Sequence, residues 1–230
     1  MRRLKNTSVQ RWRHINYLQD NFSLSEEYRT LRTNISFAKA GGDLRSLLVT
    51  SSEAGEGKST TASSLAIVMA QQGKKVLLID ADTRKPSQHE FFDTDNSRGL
   101  TNVLTGQSEF GNVVRPTRLA QMFLMTSGPV PPNPADLLSA PEMSRVIQQA
   151  KDHFNVVILD SPPVLAVSDA RLLATLCEGI LLVVKSGSAE IDKVKKAANV
   201  LTEGQGKFLG VVLNDMKLSK KEQYYDAYNS

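Results

Sequence analysis

Short apolar runs recur along the chain, each emptying into a polar or glycine-bearing turn and then into a stretch with helical spacing. Residues 47–49, 76–79, 122–125, 156–159, 180–184 and 208–213 read as strands. Such uninterrupted apolar strands are buried on both faces, which suits a parallel sheet. Between them, Ala62, Leu65, Ala66 and Met69 mark the buried side of a helix that Gly73 ends, and further helices are predicted near 99–105, 141–152, 168–176 and 190–203. An earlier helix is expected from Ser23, which has capping-box spacing to Glu26; Tyr28, Leu31, Ile35 and Ala38 then recur at helical intervals up to Gly41 and Gly42. Strands alternating with helices predict an α/β fold, a mostly parallel, doubly wound sheet flanked by helices. Around 110–118 the pattern is ambiguous, and 127–134, SGPVPPNP, reads as a rigid loop, either a stiff wall or a docking ligand.

Chemistry concentrates where the strands end. The first run leads into SSEAGEGKST, which meets the phosphate-loop pattern G-x-x-x-x-G-K-[ST] except that Ser52 replaces its first glycine. Gly55 and Gly57 let successive N–H groups turn inward toward an anion, and the helix that follows adds its partial positive charge. Lys58 is placed to reach outer phosphates and Ser59 to offer its hydroxyl to Mg2+; the plain alternative is a Gly-Lys-Ser turn opening an ordinary helix. The second run ends in DADTRKP, with Asp80 and Asp82, and the run at 156–159 ends in Asp160. Carboxylates at the C-terminal ends of buried parallel strands are costly without a cation beside them, and Mg2+ is the candidate; a polar turn is the alternative for the DADTRKP stretch. Asn214 closes the last strand and reads either as a contact to an adenine edge or as a turn residue.

With 230 residues the chain holds one large domain, expected over 23–216, with a basic arm at 1–22 and a tail at 217–230. Arg2, Arg3, Lys5, Arg11 and Arg13 supply much of the +4 net charge, either as a solvated arm or as a contact to an anionic surface, while Trp12, Ile15, Tyr17 and Leu18 are available to dock on a partner. One cysteine, Cys177, points to a buried thiol in a reducing compartment, and no apolar run approaches the roughly twenty residues that span a bilayer. His14, His89 and His153 lack zinc spacing. Lys193, Lys195 and Lys196 read as solvated surface. Glu26, Arg29 and Arg32 form one helical stripe, a solvated face on spacing alone. The tail carries Tyr224, Tyr225 and Tyr228 without a core pattern, and its fourteen residues extend to about 45 Å, enough to reach a site on this sheet edge or a neighbour's.

Taken together, EEYRTLR, SSEAGEGKST, LLIDADTRKP, SGPVPPNP, VVILDSPP and a terminal tyrosine cluster, in this order, resemble the bacterial tyrosine kinases of capsule and exopolysaccharide synthesis, in the form whose cytoplasmic kinase is a separate chain from its membrane activator. The resemblance spans about Ser23 to Ser230. It implies a P-loop kinase that uses ATP and Mg2+ to phosphorylate its own Tyr224, Tyr225 and Tyr228, chiefly between subunits of a ring. It also implies that Gly55, Glu56, Gly57, Lys58, Ser59 and Thr60 bind the nucleotide, that Asp80 accepts the phenol proton, and that Ser59, Asp82 and Asp160 serve the metal. Glu26, Arg29 and Arg32 become subunit contacts. The implied partners are the cytoplasmic segment of a transmembrane activator, which recruits the chain to the membrane, and a phosphotyrosine phosphatase, with no nucleic acid. Two rivals remain: a partition-type switch ATPase, whose extra loop lysine is replaced here by Glu53, and an ATP-binding scaffold without kinase activity.

Overall fold

The computed structural model describes residues 22–38, 44–204 and 206–216. Trp12, Ile15, Tyr17 and Leu18, Gly41 and Gly42, and the tyrosines at 224, 225 and 228 lie outside these. The described chain runs α1 (Phe22–Ala38), β1 (Ser46–Ser51), α2 (Lys58–Gln71), β2 (Val76–Asp80), α3 (Gln88–Phe91), α4 (Leu100–Leu104), α5 (Phe110–Val113), β3 (Val114–Pro116), β4 (Met122–Met125), α6 (Pro134–Ser139), α7 (Pro141–His153), β5 (Val156–Asp160), α8 (Asp169–Ala174), β6 (Gly179–Lys185), α9 (Ile191–Thr202) and β7 (Lys207–Asn214). The strand order is β3-β4-β2-β5-β1-β6-β7, parallel throughout except for β3, which runs antiparallel to β4.

Alternation along each strand divides the interior in two. Leu48, Leu77, Ile79, Val157, Leu159, Ile180 and Leu182 face one core with α4 to α9, whereas Leu47, Val49, Val76, Leu78, Ile158, Leu181 and Val183 face another with α1 and α2. Helix α2 is buried over the whole run from Thr61 to Ala70, because the sheet covers one side and α1 packs over another through Tyr28, Leu31 and Ile35. A helix whose small and apolar residues are buried on every side is stable only when enclosed in this way.

The structure differs from the sequence reading at three places. Helix α1 runs over Phe22–Ala38, so Ser23 falls inside its first turn and not at the position before it. The ambiguous stretch near 110–118 divides into α5 and the three-residue edge strand β3, whose Pro116 suits an edge where no donor is required. The proline loop is held at its near end: Asn96 donates to the Gly128 carbonyl at 3.0 Å and Thr101 Oγ1 to that of Pro129 at 3.0 Å, and α6 begins at Pro134.

Candidate active site

The loop between β1 and α2 is braced from inside. Glu56 turns its buried carboxylate back, accepting from Ser52 Oγ at 2.7 Å and from the Glu53 N–H at 2.7 Å, while Asn214 Nδ2 donates to the Glu56 carbonyl at 3.0 Å. Gly57 follows at φ 94°, and a Cβ there would lie 2.0 Å from Asn214 Nδ2. The position thus excludes a side chain both by its left-handed backbone and by this close approach. Of the residues expected to meet a nucleotide, Glu56 therefore offers its backbone, its carboxylate being internal, and Asn214 holds the loop with its amide nitrogen. The Thr61 N–H donates to the Gly57 carbonyl at 2.9 Å, so the helix begins immediately behind the loop.

Lys58, the first residue of α2, extends to the strand ends. Its Nζ stands 2.8 Å from Asp82 Oδ2, 3.2 Å from Ser59 Oγ and 3.6 Å from Asp160 Oδ1. Burial disfavours its charge, but Asp160, Asp82 and Asp80 more than offset that and hold it above the ordinary lysine range. Asp80 and Asp160 are register partners on β2 and β5, so two carboxylates end up side by side in the interior. Burial, and then the neighbouring Asp160, push Asp80 up to about 8 against the pull of the Gln88 and Ser87 N–H groups and of Lys58. Burial also raises Asp160, with Lys58, Gln88 and Ser59 drawing it down. The sequence-predicted Lys58, Ser59, Asp80, Asp82 and Asp160 therefore meet at one point. Arg84, two residues beyond Asp82, makes a two-pronged ion pair with buried Asp169 at 2.8 and 3.0 Å, fastening this loop to α8.

Sequence reasoning missed Gln88 and Ser63. Gln88 is fully buried; its Nε2 donates to Asp160 Oδ2 at 2.7 Å and its main-chain N–H to Asp80 Oδ2 at 2.9 Å. It lies eight residues past Asp80 in a stretch without periodicity, and the one available signal was a polar residue between the DADTRKP turn and the apolar Phe91 and Phe92. Lys193 lies at the surface, as expected, and has partners there. It bridges Glu53 at 2.9 Å and Glu190 at 3.0 Å and so joins α9 to the phosphate loop. The helical stripe is engaged within the chain, Arg29 pairing with Glu26 and Arg32 NH1 reaching the Val68 carbonyl of α2 at 3.4 Å.

A family model described as ParA, NUBPL iron-transfer P-loop NTPase, matches residues 44–228. The chain is 47% identical over 200 residues to the tyrosine-protein kinase YwqD of Bacillus subtilis (strain 168), across 87% of this chain and 84% of that protein. It is 39% identical over 208 residues to the tyrosine-protein kinase CpsD of Streptococcus agalactiae, covering 90% and 89% of the two chains. Among solved structures, the chimerical protein CapA2B2 superposes with a TM-score of 0.84 at 36% identity, over 93% of this chain and 92% of that one. The chain belongs to the bacterial tyrosine kinases. The kinase domain of Escherichia coli ETK matches this kinase with a TM-score of 0.83 at 33% identity over 88% of this chain and 81% of that one. The cell division ATPase MinD of Pyrococcus furiosus, at 23% identity and a TM-score of 0.64, shares the fold.

As a P-loop family member the kinase binds nucleotide, and its oxygen donors fit a hard divalent cation. Asp160 Oδ1 is buried and accepts no hydrogen bond, and the Ser59 hydroxyl and Asp82 lie beside the same ammonium. Mg2+ keeps several waters and takes ligands from nucleotide phosphates, so a hydroxyl and one or two carboxylates are the protein share it needs. No described helix is long and apolar enough to cross a membrane.

Proposed function

We propose that this kinase transfers the γ-phosphoryl group of ATP to the phenol oxygens of its own Tyr224, Tyr225 and Tyr228, chiefly between subunits of a ring, and thereby regulates synthesis and export of a capsular or exopolysaccharide. The observation that carries the reading is Lys58 held between Asp82 and Asp160 at the mouth of a braced phosphate loop, with Asp80 adjoining in register.

In this reading the loop N–H groups from Gly55 to Thr60 cradle the β- and γ-phosphates, and Lys58 leaves its carboxylates to neutralise charge on the oxygens of the transferred group. Ser59, Asp82 and Asp160 would hold Mg2+, which would draw charge from the phosphates. The phenol oxygen forms the new bond to γ-phosphorus as the bond to the β–γ bridging oxygen breaks; the electron pair leaves with ADP and the phenol proton passes to Asp80 in its ionised form, whose fraction grows as pH rises toward about 8. Positioning and charge neutralisation supply most of the acceleration.

A transmembrane activator contributes a cytoplasmic segment and brings the chain to the inner face of the membrane, a phosphotyrosine phosphatase reverses the modification, and Glu26, Arg29 and Arg32 join subunits. Glu53 argues against the switch-ATPase alternative, since a carboxylate paired with Lys193 stands where that class needs a lysine reaching across a dimer. The test is incubation of the whole chain with γ-labelled ATP, Mg2+ and an activator segment. Label on tyrosine that disappears when Tyr224, Tyr225 and Tyr228 are all changed to Phe supports the reading. Undiminished label in that variant, or release of label only as free phosphate, overturns it.

A further inference from the structure

Gln88 is placed unlike any other polar side chain near the site. It opens α3, is fully buried, and serves all three ends of chain that meet there. Its two Nε2 hydrogens have two acceptors: Asp160 Oδ2 at the end of β5, 2.7 Å away, and the Ser59 carbonyl in the first turn of α2, 3.1 Å away. Its main-chain N–H donates to Asp80 Oδ2 at the end of β2 at 2.9 Å. Its Oε1 receives Ser63 Oγ at 2.7 Å. The Ser59 carbonyl and an ionised Asp160 both accept and cannot donate, so the amide nitrogen faces them, and the reversed amide would set oxygen against oxygen. Ser63 Oγ also lies 2.7 Å from the Ser59 carbonyl, and its one proton serves either that oxygen or Oε1.

The consequence falls on Asp160. With Oδ2 engaged by Gln88, the carboxylate is held so that Oδ1 accepts no hydrogen bond and stands 3.6 Å from Lys58 Nζ, beside the Ser59 hydroxyl. Without that donor, Lys58 and Ser59 alone orient the carboxylate, and its second oxygen is left buried with no partner. An acid in place of Gln88 would add a third buried negative group next to Asp80 and Asp160, whereas a neutral amide gives hydrogen bonds without charge.

We infer that Gln88 is the positioning residue for the divalent cation: through Asp160 Oδ2 and the Ser59 carbonyl it aims Asp160 Oδ1 and the Ser59 hydroxyl at one point, and Ser63 steadies the amide. This deepens the reading proposed above and rests on its assignment of Asp160 and Ser59 to the cation. Groups that orient ligands in this way alter metal affinity by about 10- to 100-fold when removed.

The test measures binding as well as turnover. Affinity of the whole chain for a fluorescent ADP analogue is titrated against Mg2+ for the unaltered protein and for Gln88→Met, Gln88→Asn, Ser63→Ala and Asp160→Asn, with thermal melting of each. The Mg2+ concentration giving half of the affinity gain is expected to rise about tenfold or more in Gln88→Met, with ADP affinity in the absence of Mg2+ unchanged within about twofold. Gln88→Asn, which keeps the amide but falls short by one carbon, and Ser63→Ala are expected between Gln88→Met and the unaltered protein; they carry the test if Gln88→Met does not fold. An unmoved Mg2+ midpoint in the folded Gln88 variants, with a shifted one in Asp160→Asn, overturns the inference and leaves the kinase reading standing. An unmoved midpoint in Asp160→Asn itself overturns the cation assignment on which both depend. Loss of ADP affinity that is equal with and without Mg2+ assigns Gln88 to holding the loop and also overturns the inference.

Discussion

Asp80 and Asp160 end neighbouring parallel strands in register, and the chain surrounds them in opposite ways. At the end of β2 the turn folds back over its own carboxylate: Asp82 N–H reaches Asp80 Oδ1 at 3.2 Å, and the Ser87 and Gln88 N–H groups both reach Oδ2 at 2.9 Å. At the end of β5 the chain departs through Ser161, Pro162 and Pro163, two of which have no N–H to offer, and Asp160 keeps one oxygen without a donor. Identical side chains at equivalent strand ends thus receive different chemistry from the backbone that follows them. The N–H donors fix Asp80 in place and draw its pKa down against the burial that raises it, whereas the Asp160 oxygen that faces Lys58 is open to a cation.

The most damaging way to break this arrangement is to remove the cation the two ends now share. Lys58→Met is expected to lower phosphoryl transfer by about a thousandfold or more while the circular dichroism spectrum stays native, since the phosphate contact is lost and the core is untouched. Collapse of that spectrum would show that Lys58 holds the carboxylates apart as a structural element. Gly57→Ala attacks the loop facing both ends. Its backbone strain, about 1–3 kcal/mol, adds to the collision with Asn214, so ADP affinity is expected to fall at least about tenfold by fluorescence titration. Arg84→Ala loosens only the β2 side, because it strands Asp169 without its partner. Arg84 is partly exposed, so the loss is expected below the ~3–5 kcal/mol typical of a fully buried pair, read as a lowered melting temperature with transfer reduced more than ADP binding.

The smallest effect sharpens the comparison. Burial raises Asp80 to about 8 from an ordinary value near 4, so between those limits the unfolded chain has released a proton that the folded chain retains. The stability attached to this group is full below about pH 4 and is lost as pH rises to about 8. Asp80→Asn, which cannot ionise, is expected to gain melting temperature relative to the unaltered protein as pH rises from 4 to 8, with no further gain above. A difference independent of pH would remove Asp80 from the groups that titrate on folding.

Much of this was legible in the sequence because it is written in local pattern. Six of the seven strands among the described residues, the phosphate loop, and the aspartates closing β2 and β5 follow from apolar runs ending in polar residues. Strand β3 was not, since three residues containing Pro116 carry no alternation and pair only because β4 offers a free edge. Gln88 was hidden for a different reason. A lone glutamine in an aperiodic stretch has no signature, and its importance arises from partners 25, 29 and 72 positions away in the chain. Glu56 shows the converse: its place within the loop suggested a nucleotide contact, while the fold directs its carboxylate to Ser52 and Glu53. The Lys193 contact with Glu53 likewise depends on how α9 packs beside the loop.

The most direct measurement places Asp80→Asn and Asp160→Asn side by side, comparing the gain in ADP affinity on adding Mg2+ with the rate of tyrosine phosphorylation. The account expects Asp160→Asn to lose that gain, and Asp80→Asn to retain it while losing transfer. Equal loss of the Mg2+-dependent gain in both variants would contradict the division between the two strand ends.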